Sequence, residues 1–190
     1  MSFADQEVRE WRASSIGYRP FQPDDLIPLD LADRRMTEQL RLPSDQQYGL
    51  EWFWKRLNPD RESFKNFRCM VAVEDQKAIG FVIFVHFQNG CRKRGSKSTK
   101  NRANYVEIFF LWVDDDCRRR GIATALINQV VVFAESKVAA QEIRLHVIES
   151  NQAAIALYRK LHFVALRLKN NYPCESVKSW RMQRPISSTT

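Results

Sequence analysis

Apolar and polar positions along the chain change their period several times, which predicts a mixture of strands and helices. Short runs rich in β-branched and aromatic residues lie at 67–74, 78–87 and 104–113, and such runs favour strands. Within 122–137 the apolar residues instead recur at every third or fourth position, which is typical of a helix that packs along one face. Polar stretches separate these segments.

The predicted elements follow one another as strand, two helices, three strands, helix, strand, helix and two strands. The first helix begins at the caps Asp24 and Asp25, and Asn58-Pro59 ends the second. Hairpin strands followed by a strand–helix–strand crossover predict an α/β (α+β) fold, with a mixed sheet and helices on its faces. The expected strands are 18–21, 67–74, 78–87, 104–113, 141–148, 163–168 and 177–182, and the expected helices are 24–40, 44–57, 122–137 and 151–160.

The length of 190 residues suits one domain with a full hydrophobic core. We expect that domain at 16–184, with an N-terminal arm at 1–15 and a polar tail at 185–190. No apolar run approaches the length of a membrane span, and the N-terminus has acidic residues where a signal peptide needs basic and then apolar ones. The four cysteines are widely separated, which favours reduced thiols and a cytoplasmic location, with the nucleus as an alternative.

Part of the net charge of +8 comes from one basic loop at 88–103. A block of this kind can attract phosphates, nucleic acid or an acidic partner. The simpler interpretation is a solvated loop without a partner. Its cationic side chains are those of Arg92, Lys93, Arg94, Lys97, Lys100 and Arg102.

The stretch from Val113 to Ala125 reads V-D-D-D-C-R-R-R-G-I-A-T-A and joins a predicted strand to a predicted helix. The first backbone N–H groups of a helix have no partner within it, so a helix N-terminus attracts anions. Gly121 permits unusual torsions, and Ala123 keeps the surface flat for a phosphate. This R-x-x-G-x-A turn predicts an anion site, although the pattern alone would serve many phosphate ligands.

A second motif, N-Q-A-A-I-A-L-Y-R-K-L-H-F, begins at Asn151. Asn151, Ala154 and Tyr158 are spaced at i, i+3 and i+7, which places them on one face of the predicted helix. The alternative is that Asn151 is only a helix cap and Tyr158 only a core aromatic residue.

Together, the two motifs resemble those of the GNAT superfamily of acetyl-CoA-dependent N-acetyltransferases, over roughly Phe67–Met182. Ala123 stands where many members have glycine, and His162 stands where glycine usually precedes the phenylalanine. The resemblance implies a GNAT-like fold, a mostly antiparallel twisted sheet of six or seven strands with helices on both faces. It implies acetyl-CoA as co-substrate, and no metal.

The resemblance also implies roles for individual residues. The strand ending at Val113 would splay from the strand that follows the helix, and its last residues would pair with the pantetheine arm. Asn151 would touch the pantetheine, Ala154 would belong to the cofactor-binding residues, and Tyr158 would lie near the thioester sulfur as a proton donor to the thiolate. The implied backbone contacts to the pantetheine come from Leu111, Trp112 and Val113, and the implied pyrophosphate cradle comprises Arg118, Arg119, Arg120, Gly121, Ile122, Ala123 and Thr124.

An amine must lose a proton before it attacks a thioester, so a general base is useful. Glu107 is a carboxylate inside an apolar strand, and it matches the base position of histone-type lysine acetyltransferases. His146 lies on the strand before Asn151 and resembles the catalytic histidine of protein N-terminal acetyltransferases. Glu107 could instead point outward or pair with an arginine, and His146 could be a satisfied sheet histidine. If both face the cleft, they could act together through a water.

The acceptor is expected to be a primary amine, and the C-terminal stretch favours a peptide or protein. That stretch resembles the last hairpin of peptide N-acetyltransferases, where a tyrosine helps to form the acceptor slot, so Tyr172 would be a substrate residue. Small-molecule amines are the alternative. A non-catalytic module that binds CoA or RNA through the basic loop is a third hypothesis, and the oligomeric state stays open.

Overall fold

A computed structural model describes residues 16–58, 66–88, 104–169 and 177–186. The N-terminal arm, nearly all of the basic loop, Tyr172 and the end of the polar tail lie outside these residues. The described strands are β1 Gly17–Pro20, β2 Phe67–Glu74, β3 Lys77–Phe87, β4 Tyr105–Val113, β5 Glu142–Ile148, β6 Val164–Lys169 and β7 Ser179–Pro185; the helices are α1 Leu26–Gln39, α2 Gly49–Leu57, α3 Ile122–Ser136 and α4 Gln152–Lys160.

Each predicted strand and helix is present, and the main differences lie at the ends of elements. A 3₁₀ turn at Pro23–Asp25 precedes α1, so the helix itself starts at Leu26. The last strand runs to Pro185, three residues beyond the predicted end, because β7 pairs with β5 along its whole length up to Glu142. Backbone pairing extends the strand through polar residues that the apolar pattern did not include.

The strands form one mixed sheet in the order β1-β2-β3-β4-β5-β7-β6. Among the described strands, only the β4–β5 pair is parallel, and every other pair is antiparallel. Helix α3 connects these two parallel strands, as a crossover of this kind requires.

Helices cover both faces of the sheet, and the sheet divides the core into two parts. On one face α3 buries residues such as Leu126, Ile127 and Val130 against β3, β4 and β5. On the other face α1 and α2 bury Leu29 and Phe53 against β2, β3 and β4. In the described residues, this second core takes no buried side chain from β5, β6 or β7.

A bulge at Phe109 is the feature of the sheet that shapes the site. Ile108 pairs with Phe84 of β3, but Phe110 already pairs with Ile83, so Phe109 has no partner on β3. The parallel pairing of β4 with β5 ends at the same place, with Ile108 opposite Leu145. A bulge bends a strand and increases its twist. The last part of β4 therefore diverges from β5 and leaves a gap between two parallel strands.

The connection between α1 and α2 is held by one buried carboxylate. Asp33 Oδ2 accepts hydrogen bonds from the backbone N–H groups of Tyr48 at 2.7 Å and Gly49 at 3.1 Å. Asp33 is 1% exposed, and burial raises the pKa of its carboxyl, although the two N–H groups oppose this. The start of α2 is thus fixed against α1, which forms one wall of the cavities described below.

Candidate active site

Two adjoining cavities open where β4 and β5 diverge. The larger has a volume of about 840 Å³ and lies between the end of β4, the start of α3 and the start of α4. The smaller, of about 200 Å³, lies deeper along β4 and β5. Both are lined by Met36, Leu40, Leu111, Asn151 and Ala154, so the two cavities form one continuous cleft.

The turn before α3 forms one end of the larger cavity. Gly121 is the N-cap of α3 and has φ +81°, a left-handed conformation that side chains rarely adopt. A Cβ atom on Gly121 would meet no protein atom within 4 Å, so the torsion rather than crowding explains the glycine. The predicted cradle residues that line this cavity are Arg118, Arg119, Gly121, Ile122, Ala123 and Thr124.

Two of the three arginines in this turn are bound to other groups of the protein. Arg120 donates to both carboxylate oxygens of Glu74 at 2.8 and 2.6 Å, and its side chain is not part of the cavity wall. Arg118 forms an ion pair with Asp115 at 2.6 Å and donates to Gln39 Oε1 at 2.9 Å. These arginines hold the turn against β2 and α1, which is consistent with an anion site made mainly by backbone N–H groups.

The end of β4 forms part of the wall of the larger cavity. Leu111, Trp112 and Val113 line the larger cavity. The Trp112 ring, however, packs on the α1–α2 side of the sheet beside Phe81, with ring centroids 6.5 Å apart. Trp112 therefore offers its main chain to the cleft and its side chain to the core.

The smaller cavity brings both candidate bases and the phenol together. Glu107, His146 and Tyr158 all line it. Glu107 is opposite Arg144 in the β4–β5 register, and His146 follows two residues later, so both bases lie on the same face of the sheet. The interpretation in which they share a cleft is the one that the geometry supports.

Tyr158 is fixed at the end of α4 and is 6% exposed. Burial raises the pKa of its phenol above the ordinary value of 10.0. The phenol therefore stays protonated at neutral pH and is a persistent hydrogen-bond donor. Complete proton transfer to a thiolate, with an ordinary thiol pKa of about 8.5, would be unfavourable.

Asn151 caps α4 and also lines the cleft. Its Oδ1 accepts the backbone N–H of Ala154 at 3.2 Å, which caps α4. The same residue lines both cavities.

The structure adds site residues that sequence patterns did not indicate. Met36 and Thr37 of α1 and its C-cap residue Leu40 line the smaller cavity, and the apolar pattern could have pointed to Met36 and Leu40. Ser179 also lines it, is 1% exposed, and its Oγ has no hydrogen-bond partner among the described residues. Nothing in the local sequence distinguishes Ser179 from a surface serine.

The described residues contain neither a cluster of metal-ligating side chains nor a long apolar helix. No group of three or more His, Cys, Asp or Glu side chains converges there as metal ligands would. No helix in that part of the chain is long and apolar enough to cross a membrane.

A sequence profile of the acetyltransferase (GNAT) family matches residues 33–163, a range that contains β4, α3, β5 and α4. The chain belongs to the acetyltransferase (GNAT) family. The predicted resemblance, the fold class and the enzyme class, an N-acetyltransferase with acetyl-CoA as co-substrate, are thereby confirmed.

This GNAT chain is similar to named acetyltransferases and to a solved structure with acetyl-CoA bound. An N-alpha-acetyltransferase of Saccharolobus solfataricus is 29% identical over 146 residues, which cover 77% of this chain and 83% of the relative. Histone acetyltransferase MCC1 of Arabidopsis thaliana is 39% identical over 168 residues, which cover 80% of this chain and 62% of the relative. The crystal structure of Arabidopsis thaliana NAA60 in complex with acetyl-CoA matches with a TM-score of 0.71 and 25% identity, and covers 90% of this chain and 99% of that one.

Proposed function

We propose that this GNAT enzyme acetylates the amine of a peptide or protein, with an N-terminal α-amine as the first acceptor. The observation that carries the proposal is the smaller cavity, where Glu107, His146 and Tyr158 meet beside the gap between β4 and β5. A base and a phenol donor stand there at the end of a cleft whose other end is an anion-binding turn.

The residues of the cleft fit acetyl-CoA, which supplies the activated acetyl group when bound. The backbone of Leu111–Val113, left unpaired with β5 by the bulge, would hold the pantetheine arm. The turn at Arg118–Thr124 would hold the pyrophosphate, with its first helical N–H groups as donors. Asn151 and Ala154 would flank the pantetheine where the two cavities join.

Three side chains would then act on the acceptor and the leaving group. Glu107 and His146 would take the proton of the ammonium form, directly or through a water. Tyr158 would donate a hydrogen bond to the sulfur as negative charge develops there. Direct transfer would need no acyl-enzyme, because both substrates would bind side by side in one continuous cleft.

An α-amine is the favoured acceptor on chemical grounds and by similarity. Its ordinary pKa is about 7.7–8.0, against about 10.4 for lysine. A larger fraction of an α-amine is therefore already unprotonated at neutral pH, and its remaining proton is easier for the base to remove. The similarity to an N-alpha-acetyltransferase supports this acceptor. The similarity to a histone acetyltransferase keeps a lysine side chain as the second candidate.

The test measures acetyl-CoA turnover with three acceptors, each supplied at the same concentration. The first is a peptide with a free N-terminus and no lysine, the second an N-blocked peptide with one lysine, and the third spermidine. We expect thiol release mainly with the first peptide, and mass spectrometry should place the acetyl group on its α-amine. Turnover with spermidine alone, or RNA binding without any turnover, would contradict the proposal.

Three expectations from the sequence remain predictions. They are the place of Tyr172 in the acceptor slot, a nucleic-acid or acidic contact through the basic loop, and the cytoplasmic location. A peptide footprint on β6, β7 and the segment between them would test the first of these.

A further inference from the structure

Two arginines lie directly opposite each other on the strands next to the smaller cavity. Arg167 of β6 pairs in register with Arg181 of β7. Like charges directly opposite each other in an antiparallel pair are destabilising. In the described part of the chain, no carboxylate forms an ion pair with either arginine. This arrangement, which we call the arginine pair, therefore costs stability unless an anion binds there.

A bulge in β6 creates the arginine pair. Ala165 is opposite Met182, but Arg167 rather than Leu166 is opposite Arg181. Without the register shift, regular alternation would place Leu166 opposite Arg181 and no second guanidinium beside the first. Bulges next to active sites often re-aim a side chain in this way.

The arginine pair lies on the face of the sheet that carries the candidate bases. Arg181 is directly opposite His146 in the β5–β7 register, and directly opposite residues project from the same face. Its neighbour Met182 is buried on the other face, in the core under α3 and α4. From the cavity to the edge of the sheet, the side chains thus follow one another in the order His146, Arg181 and Arg167.

The positive charge of Arg181 affects the pKa of a phenol on the same face of the sheet. Burial and Glu107 raise the pKa of the Tyr105 phenol, and Arg144 and Arg181 oppose that rise. Tyr105 is on β4, two strands from Arg181. Arg144, by contrast, already has an acidic neighbour, because it forms an ion pair with Glu142.

We propose that the arginine pair selects acceptor polypeptides whose residues just after the acetylated amine are acidic. The proposal rests on the proposed function, since it places that amine beside His146. Adjacent strands are about 4.8 Å apart and an extended peptide advances about 3.3 Å per residue, so positions two to four, roughly, pass over Arg181 and Arg167. Aspartate or glutamate side chains there would bind the guanidinium groups, and lysine side chains would be repelled.

The experiment compares peptides that share length, first residue and a free α-amine. They carry Asp-Glu, Asn-Gln or Lys-Lys at positions two and three. For the wild-type enzyme in low salt, we expect kcat/KM about tenfold higher for the Asp-Glu peptide than for the Asn-Gln peptide, and lowest for Lys-Lys. The preference should fall as salt is raised, because exposed charges are screened.

Variants test whether the two arginines cause the preference for acidic peptides. The double variant R167Q/R181Q should bring the Asp-Glu to Asn-Gln ratio close to one while it keeps most turnover of the Asn-Gln peptide. R181K should keep a reduced preference, because it retains the charge. R159Q, which removes an exposed arginine from α4, is the matched control and should leave the ratio unchanged.

Two results would overturn the proposal, and they differ from each other. Equal turnover of all three peptides by the wild type, or an unchanged ratio in R167Q/R181Q, would reject the arginine pair and leave the acetylation of α-amines intact. Absence of turnover with every free-N-terminus peptide would reject the proposed function and this inference together.

Discussion

The backbone N–H of Phe163 donates to the carbonyl of Tyr158 at 2.9 Å, and the two rings lie 5.6 Å apart at 62°. This bond, with that from His162 N–H to the Arg159 carbonyl, forms a Schellman motif at the end of α4. The motif and its ring contact fix the backbone and the ring of Tyr158. The end of a helix thus holds the phenol at the wall of the smaller cavity.

Tyr158→Phe should lower kcat and leave the cofactor site nearly intact. Phenylalanine keeps the contact with Phe163 but removes the proposed hydrogen bond to the developing thiolate, so we expect kcat about tenfold to a hundredfold lower. KM for acetyl-CoA should change by no more than about twofold. Steady-state kinetics check both values, and an unfolding curve equal to that of the wild type is the control. Unchanged kcat would remove the donor role.

His162 adopts φ +65° at the position where the family usually has glycine. His162→Gly should raise the free energy of unfolding by about 0.5–1 kcal/mol, because the strain of a left-handed side-chain residue exceeds the added entropy of the unfolded chain. His162→Val should lower it by about 1–2 kcal/mol, since a β-branched residue tolerates this torsion worst. Urea unfolding measures both, and the opposite order would show that the turn is not strained.

Gly121→Ala should weaken acetyl-CoA binding. Gly121 and Gly49 have φ +81° and +73°, and neither has an atom near its absent Cβ, so alanine strains both turns alike. We expect each variant to lose about 1 kcal/mol of stability. Only Gly121→Ala should raise the Kd for acetyl-CoA, by about fivefold or more, and Gly121→Glu should raise it further by adding a negative charge. Calorimetry that finds the same affinity for acetyl-CoA in the wild type, Gly121→Ala and Gly121→Glu would mean that the pyrophosphate is bound elsewhere.

Asp33→Asn should change how stability depends on pH. Burial raises the folded-state pKa of Asp33 above its ordinary value of 3.8, so the folded protein binds this proton more tightly than the unfolded chain does. The resulting stability is present below that value and is lost as pH rises through the folded pKa. Relative to Asp33→Asn, the wild type should therefore lose unfolding free energy above about pH 4, by at most about 1.4 kcal/mol per pH unit. Parallel urea-derived curves from pH 4 to 7 would contradict this.

The sequence predicted the elements and their order because periodic burial dominates them. It also predicted which residues of α4 share a face, since i, i+3 and i+7 spacing is local. The bulge at Phe109 could not be predicted in this way: it depends on how β4 pairs with β3 and β5 at once. Ser179 and the arginine pair were missed for the same reason, because strand register brings them to the site.

The arginines of the turn before α3 show a second limit of prediction from the sequence. A run of positive charge next to a phosphate motif indicates phosphate contact, yet Arg120 is bound to Glu74 of β2. Arg118 is shared between Asp115 and Gln39. Their partners come from distant parts of the chain, so only the folded arrangement reveals that these side chains hold the turn in place.

The central claim is that Glu107 and His146 activate the acceptor amine in the smaller cavity. The most direct test is the pH–rate profile of kcat/KM for a peptide with a free α-amine, for the wild type, Glu107→Gln and His146→Ala. The wild type should show a loss of rate toward acid, and at least one variant should shift or remove that limb while its Kd for acetyl-CoA stays within about twofold. Three profiles that superimpose in shape and height would contradict the claim.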